Sequence, residues 1–276
     1  MRLLSLAITL VLLSGYLAAQ VPSPARPTFE VASIKRNVSG DAGASVRMQP
    51  GGRLTITNNS VFNMIRNAYN TQRFEMIPGP NVPSWIDTDR WDIVAKGPDE
   101  ATGPQLMVML QNLLVDRFKL VARRETREMP VYALVIARSD GQLGPQLHRS
   151  TIDCNAVAAA ARAGGPAPPP ASGTGPFCGT RTNAGTVQMS GVPLSNFVRN
   201  LGGATGRFVT DKTGLTGPFD LQLTWTPDQP TGSADVLANG ASLVTAIREQ
   251  LGLKLEAQRA PVEVLVIESA ERPVED

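Results

Sequence analysis

The single histidine of this 276-residue chain stands in PQLHRSTID, so any Ser-His-Asp or Cys-His mechanism would have to run through His148. Ser150 and Asp153 lie near it, supplying the residue types of a nucleophile, a base and an orienting carboxylate. Such a triad also needs a scaffold that holds the three together. Here they border a Pro-, Gly- and Ala-rich run, and no triad is expected. Paired carboxylates acting as general acid and base are the second chemistry on offer. Their best position is PSWIDTDRW, where Asp87 and Asp89 lie between Trp85 and Trp91. A turn with two packed indoles accounts for the same residues without catalysis. If there is a ligand or partner surface, Trp85, Asp87, Asp89 and Trp91 are its candidates, because loops on a rigid sheet tend to carry function.

The remaining motifs point away from chemistry. Only two cysteines occur, Cys154 and Cys178, both in one mid-chain segment. In an exported protein such a pair reads as a disulfide, and with His148 as the sole imidazole a metal site would lack ligands. No metal or cofactor is expected. GGATGR at 202–207 has the glycine density of a phosphate cradle, but it follows a helix and lacks a lysine, so it reads as a helix stop. The sequence contains no G-x-S-x-G elbow, H-E-x-x-H helix or Walker A loop.

The N-terminus bounds where the protein works. MRLLSLAITLVLLSGYLAAQ has a lone Arg2, an apolar run from Leu3 to about Leu13, and small residues at Ala18 and Ala19, the layout of a secretory signal peptide. Residues 1–19 are expected to be removed, leaving a periplasmic or extracellular chain from about Gln20. The other reading is an uncleaved anchor, but the run is shorter than the roughly 20 apolar residues that span a bilayer. No later stretch is long enough to span. Lys and Arg number 26 against 24 Asp and Glu, and losing Arg2 brings the exported chain near neutrality. That excludes nucleic acid as an expected partner. The densest basic stretch, ARRETRE at 122–128, interrupts three Arg with two Glu and reads as a solvated edge.

Stepping outward to the elements that would position these residues, the chain reads as written twice. RLTITNNSVFNMIRNAY (53–69) aligns without a gap with TVQMSGVPLSNFVRNLG (186–202). Each opens on a strand and enters a helix with apolar residues at i, i+3, i+4 and i+7: Val61, Met64, Ile65 and Ala68, then Leu194, Phe197, Val198 and Leu201. Ser60 is the expected cap of the first helix, and Pro193 is expected in the first turn of the second. RF recurs at 73–74 and 207–208, and RWDIVAKG (90–97) pairs with PFDLQLTW (218–225). Second helices carry Leu106, Leu110 and Leu114 or Leu243, Ile247 and Leu251. FKL and LKL lead into PVYALVIA (130–137) and PVEVLVIE (261–268), near-continuous apolar runs that read as central strands.

The fold class is therefore α+β, an internal duplication of a β-α-β-β-α-β-β-like unit with helices on one face of mixed or antiparallel sheets. The expected layout is a module over 28–138, a linker over 139–180 holding a flexible loop pinned by the disulfide, a module over 181–270, and a disordered tail over 271–276.

FEVASIKRN, PSWIDTDRWDIVAKGP, LQNLLVDRFKLVARRETREMPVYALVIAR and DKTGLTGPFDLQLTW together resemble an uncharacterised exported family, a domain of unknown function expanded as paralogues in soil Acidobacteria. The resemblance covers about residues 28–270 and implies no known activity, cofactor or catalytic residue. Some members of that family look like sensor regions attached to membrane metallopeptidases. A weaker resemblance joins PLSNFVRNLGGATGRFVTD and SLVTAIREQLGLKLEAQRAPVEVLVIES to the short N-terminal domain of secretins and TonB-dependent receptors, a unit that makes protein contacts in the periplasm. The expected function is a non-enzymatic binding module for an envelope protein or ligand. The alternative is an extracytoplasmic hydrolase or carbohydrate-active enzyme using Asp87 and Asp89.

Overall fold

The computed structural model describes residues 26–41, 43–165, 177–227 and 241–276. The expected signal peptide and the Pro-rich stretch 166–176 lie outside them. In chain order the elements are β1 (Val31–Arg36), β2 (Ser45–Gln49), β3 (Arg53–Asn59), α1 (Val61–Ala68), a 3-10 turn (Arg73–Glu75), β4 (Met76–Pro78), α2 (Trp85–Thr88), β5 (Trp91–Lys96), α3 (Gly103–Phe118) and β6 (Val121–Ile136). There follow β7 (Leu147–Arg149), α4 (Cys154–Arg162), β8 (Gly179–Asn183), β9 (Thr186–Pro193), α5 (Ser195–Thr205), β10 (Phe208–Asp211), β11 (Pro218–Thr224), α6 (Leu243–Leu251) and β12 (Leu253–Ser269).

The helices form where spacing and caps demand. Ser60 Oγ accepts from the Asn63 N–H at 3.2 Å, taking up one of the orphan donors at the start of α1. Behind that cap Val61, Met64, Ile65 and Ala68 are all buried. The Thr102 N–H donates to Gln105 Oε1 at 2.8 Å, opening α3, whose Leu106, Leu110 and Leu114 enter the core. Pro193 departs from expectation: it is the last residue of β9, opposite Pro218, and Leu194 caps α5 instead. A residue without an N–H is tolerated at the end of a ladder, so the strand runs on through it.

Three four-stranded sheets result, and the α+β class holds. The first, ordered β1-β5-β3-β2, and the third, ordered β7-β11-β9-β8, are antiparallel. Each contains the same local device. In the first, Asn58 bulges into the left-handed region at φ 52°, and its N–H donates to Asp92 Oδ1 at 2.8 Å. In the third, Gly191 at φ 66° donates to Asp220 Oδ1 at 2.9 Å. The aspartate after each strand aromatic thus satisfies a backbone donor that the bulge removes from the ladder.

The middle sheet, β10-β6-β12-β4, interleaves the halves. LKL opens β12 and is continuous with PVEVLVIE, whereas FKL is the end of α3 with its left-handed Lys119 cap, and β6 starts at Val121; β6 and β12 reach 16 and 17 residues. These pair antiparallel along nearly their whole length, Leu253 with Ile136 at one end and Ser269 with Val121 at the other. Each also takes a short parallel strand from the other half, β10 beside β6 and β4 beside β12. Packing follows the pairing. Leu265, Ile267 and Ala270 of the C-terminal stretch complete the core around α1 and α3, while Leu134 and Leu147 join the core around α5 and α6. The modules 28–138 and 181–270 therefore each contribute a strand end to the other's core.

Two further expectations are corrected. Residues 154–162, expected within a flexible loop, form α4, capped by Asp153 through the Asn155 and Ala156 N–H groups at 2.9 and 3.2 Å. Residues 271–276, expected to be disordered, lie against the first half. The Glu271 N–H donates to the Phe118 carbonyl at 2.7 Å, and Asp276 exchanges bonds with the Ile34 backbone and pairs with Arg117 at 2.7 Å. The disulfide expected between Cys154 and Cys178 is present, tying the start of α4 to β8 across Cα atoms 5.5 Å apart.

A fragment of residues 181–270 lacks Leu134 and Leu147, so it is expected to show no cooperative urea transition by circular dichroism; a sigmoidal, reversible transition would show that the second half completes its own core. Cys154→Ser is expected to keep the fold but lose on the order of 3 kcal/mol, the value for opening a loop of this length. An unchanged melting temperature under oxidising conditions would count against that role.

Candidate ligand cleft

The segment singled out in sequence is built by α2 and the start of β5. Trp91 is 1% exposed and sets its ring edge-on to Phe118, centroids 5.6 Å apart. Trp85 is also buried and lies under the Arg272 guanidinium at 5.2 Å. The two indoles belong to the first core, the packed arrangement that is the alternative to a ligand or partner surface: α2 rolls Trp85 and Ile86 inward together. Asp87 and Asp89 stay near the surface, and both are engaged. Asp87 Oδ2 meets Arg73 Nη2 at 2.6 Å, while Asp89 sits between Arg36 at 3.3 Å and Arg272 at 2.9 Å. The hydrogen bond from Arg73 holds the Asp87 carboxyl below its ordinary range, so it is ionised near neutral pH and poorly suited to donate a proton.

His148 and its neighbours do not converge either. His148 is an exposed residue of β7 opposite Asp220, whose carboxylate already serves the Gly191 N–H. Ser150 Oγ accepts from the Ile152 N–H at 3.1 Å, and Asp153 caps α4. GGATGR ends α5 with Gly206 at φ 63°, the helix stop expected. Among the described residues no group of three His, Cys, Asp or Glu is placed to hold a metal ion.

A substantial recess lies in the second half, away from the candidate surface residues singled out in sequence. It has a volume of about 560 Å³ and is bounded by the β8–β9 turn, the exposed side of α5 and the end of β11. Thr182 and Asn183 come from the turn, Arg199 and Asn200 from α5, Trp225 from the end of β11, and Gln72 from the other half. Gly185 at the turn is obligatory: its φ is 74°, and an added Cβ would lie 2.5 Å from the Trp225 carbonyl oxygen. That approach is fixed by the Trp225 N–H donating to the Gly185 carbonyl at 2.9 Å. The polar side chains are held as a set. Thr182 Oγ1 donates to Asn200 Oδ1 at 3.1 Å, Asn200 Nδ2 donates to the Asn196 carbonyl at 2.8 Å, and Arg199 Nη2 is anchored by Asn70 Oδ1 of the first half at 3.0 Å.

Such a recess can bind without reacting. Among the described residues its lining offers amides, hydroxyls, one guanidinium and one half-exposed indole, with no carboxylate, imidazole or thiol. The signals available in sequence are Arg199 and Asn200, which repeat Arg66 and Asn67 and read as a mark of duplication, and the tryptophan that closes PFDLQLTW.

Fold and recess define an α+β protein of interleaved halves with a polar, indole-edged cleft. The chain belongs to the DUF3738 family of proteins of unknown function, whose family model matches residues 62–270. No curated protein and no solved structure matches it significantly.

The Asp87 carboxyl is lowered, so its pairing with Arg73 contributes above the unfolded-state pKa of about 3.9 and is lost as pH falls through the folded value. In Arg73→Ala the Asp87 titration measured by carbon-13 NMR should return upward to the ordinary carboxylate range. No change would mean that the pair is absent in solution.

Proposed function

We propose that the protein is a non-enzymatic exported binding module and that the cleft beside Trp225 receives its ligand, an uncharged molecule rich in hydroxyl and amide groups such as a short glycan of the cell envelope. The observation that carries this reading is the lining itself: one indole face for stacking beside fixed amide and hydroxyl groups, with no carboxylate, imidazole or thiol among its described residues. The volume suits a ligand of a few rings. Export, expected from residues 1–19, is consistent with the disulfide. No helix among the described residues is long and apolar enough to cross a membrane. A hydrolase working through Asp87 and Asp89 gains no support from carboxylates that are each paired with arginine.

As part of the same reading, the halves descend from one copied unit. The matched bonds from Asp92 to the Asn58 N–H and from Asp220 to the Gly191 N–H support this. So does the edge-on contact of Phe74 with Phe208, the two RF phenylalanines, at 5.2 Å.

Titration with envelope di- to tetrasaccharides should change the intrinsic fluorescence, because Trp225 is partly exposed while Trp85 and Trp91 are buried. Trp225→Ala should weaken binding by about tenfold, the loss of roughly 1.4 kcal/mol, with an unchanged melting temperature. Equal affinity in that variant would exclude the cleft, and the absence of any saturable signal across the panel would sink the glycan reading.

A further inference from the structure

The outward face of the first sheet carries a charge pattern that the protein itself leaves open. Alternation along the strands sends Ile34, Trp91, Ile93, Leu54 and Ile56 into the core, which places Lys35, Lys96, Arg53 and Arg47 together on the opposite face. The register sets Lys96 directly across from Arg53, and on the next rung Val94 faces Thr55, which faces Arg47. Like charges opposed across a ladder are destabilising. Lys96 is relieved by Asp99 at 2.5 Å, whereas Lys35, Arg47 and Arg53 have no side-chain hydrogen bond or ion pair among the described residues. Asp92, the only carboxylate in these four strands, stands across from Lys35 and accepts from the Asn58 N–H and the Asn37 amide at 2.8 and 2.9 Å, so with Asp99 on Lys96 the face still carries more cations than anions. Among the cations stand two exposed apolar side chains, Val31 at 68% and Val94 at 52%.

We propose that this face docks on the surface of an anionic phospholipid bilayer. Headgroup phosphates answer the cations, and the valines between them seat at the headgroup boundary, where apolar and cationic side chains are both accommodated. A dissolved polyanion would neutralise the charges but leave Val31 and Val94 in water, which is why a bilayer is favoured. The docking face lies on the first sheet and the cleft in the second half, so this inference does not depend on what the cleft binds.

The test is co-sedimentation of the chain from Gln20 onward, which keeps every described element, with vesicles of phosphatidylglycerol and phosphatidylcholine or of phosphatidylcholine alone. Binding is expected only to the anionic vesicles and should be lost at about 1 M salt, where the screening length falls to roughly 3 Å. R47E/R53E should reduce partitioning by about tenfold or more, since each basic side chain near such a surface is worth about fivefold. If that double variant melts lower than the parent, K35Q/R47Q, which removes charge at exposed positions without reversing it, should still reduce binding severalfold. Equal binding to neutral vesicles, undiminished binding by the charge variants, or capture by heparin with no vesicle binding would each overturn the proposal.

Discussion

Everything in this molecule hangs on the antiparallel ladder between β6 and β12. Two strands of this length, paired from Leu253–Ile136 to Ser269–Val121, cannot both be buried throughout by cores the size of those on either side. Each instead gives its C-terminal end to the opposite core, β12 through Leu265 and Ile267 and β6 through Leu134. The backbone bonds thereby become a strap between two hydrophobic clusters. The same ladder thus serves both clusters, although the halves read as separate modules in sequence.

The stretch between the cores explains the densest charge run. Arg123 pairs with Glu268, Arg124 with Glu263, and Arg127 with Glu125. Exposed pairs of this kind contribute little individually. Their use is that a long, partly uncovered strand edge studded with charge resists pairing with another chain. ARRETRE is thus neutralised by its own Glu125 and by Glu263 and Glu268 across the ladder, while Lys35, Arg47, Arg53 and Lys96, scattered over four strands, converge on one face. Local charge density in sequence and charge density on the surface point to different places, because strand register decides which residues are neighbours.

Local physics was legible and long-range physics was not. The helical phase of Val61, Met64, Ile65 and Ala68, the Ser60 cap, the stop at Gly206 and the cysteine pair depend on spacings of a few residues or on composition, and the structure agrees with each. Running one strand from Val121 through PVYALVI depends on partners far along the chain, Ser269 for Val121 and Leu253 for Ile136, which no window of sequence contains. The left-handed caps also show that Leu251-Gly252-Leu253, rather than LKL, takes the place of Phe118-Lys119-Leu120. The short acidic tail looked disordered by composition, yet Arg117 and the open edge of β1 give it partners from the far end of the chain. Trp85 and Trp91 were visible as a pair, but whether indoles face out or in is decided by how α2 rolls onto the core.

The position of the cleft follows from one difference between the two halves. In the alignment of RWDIVAKG with PFDLQLTW, Gly97 falls opposite Trp225. At Gly97 the missing side chain lets α3 close down: an added Cβ would lie 2.9 Å from Met109 Sδ and 3.5 Å from Leu106 Cδ2. The first half fills that space with its own helix, and Gly52 in the preceding hairpin presses against the Pro98 carbonyl. At the matching site the second half places an indole. Gly185 still lets the hairpin approach the strand end, but a ring the size of Trp225 cannot be overlaid as Gly97 is, and it becomes a wall of the recess between the turn and α5. One half thus uses the position for packing and the other leaves it on the wall of a recess beside its helix, which is what two similar folds with different residues here should produce.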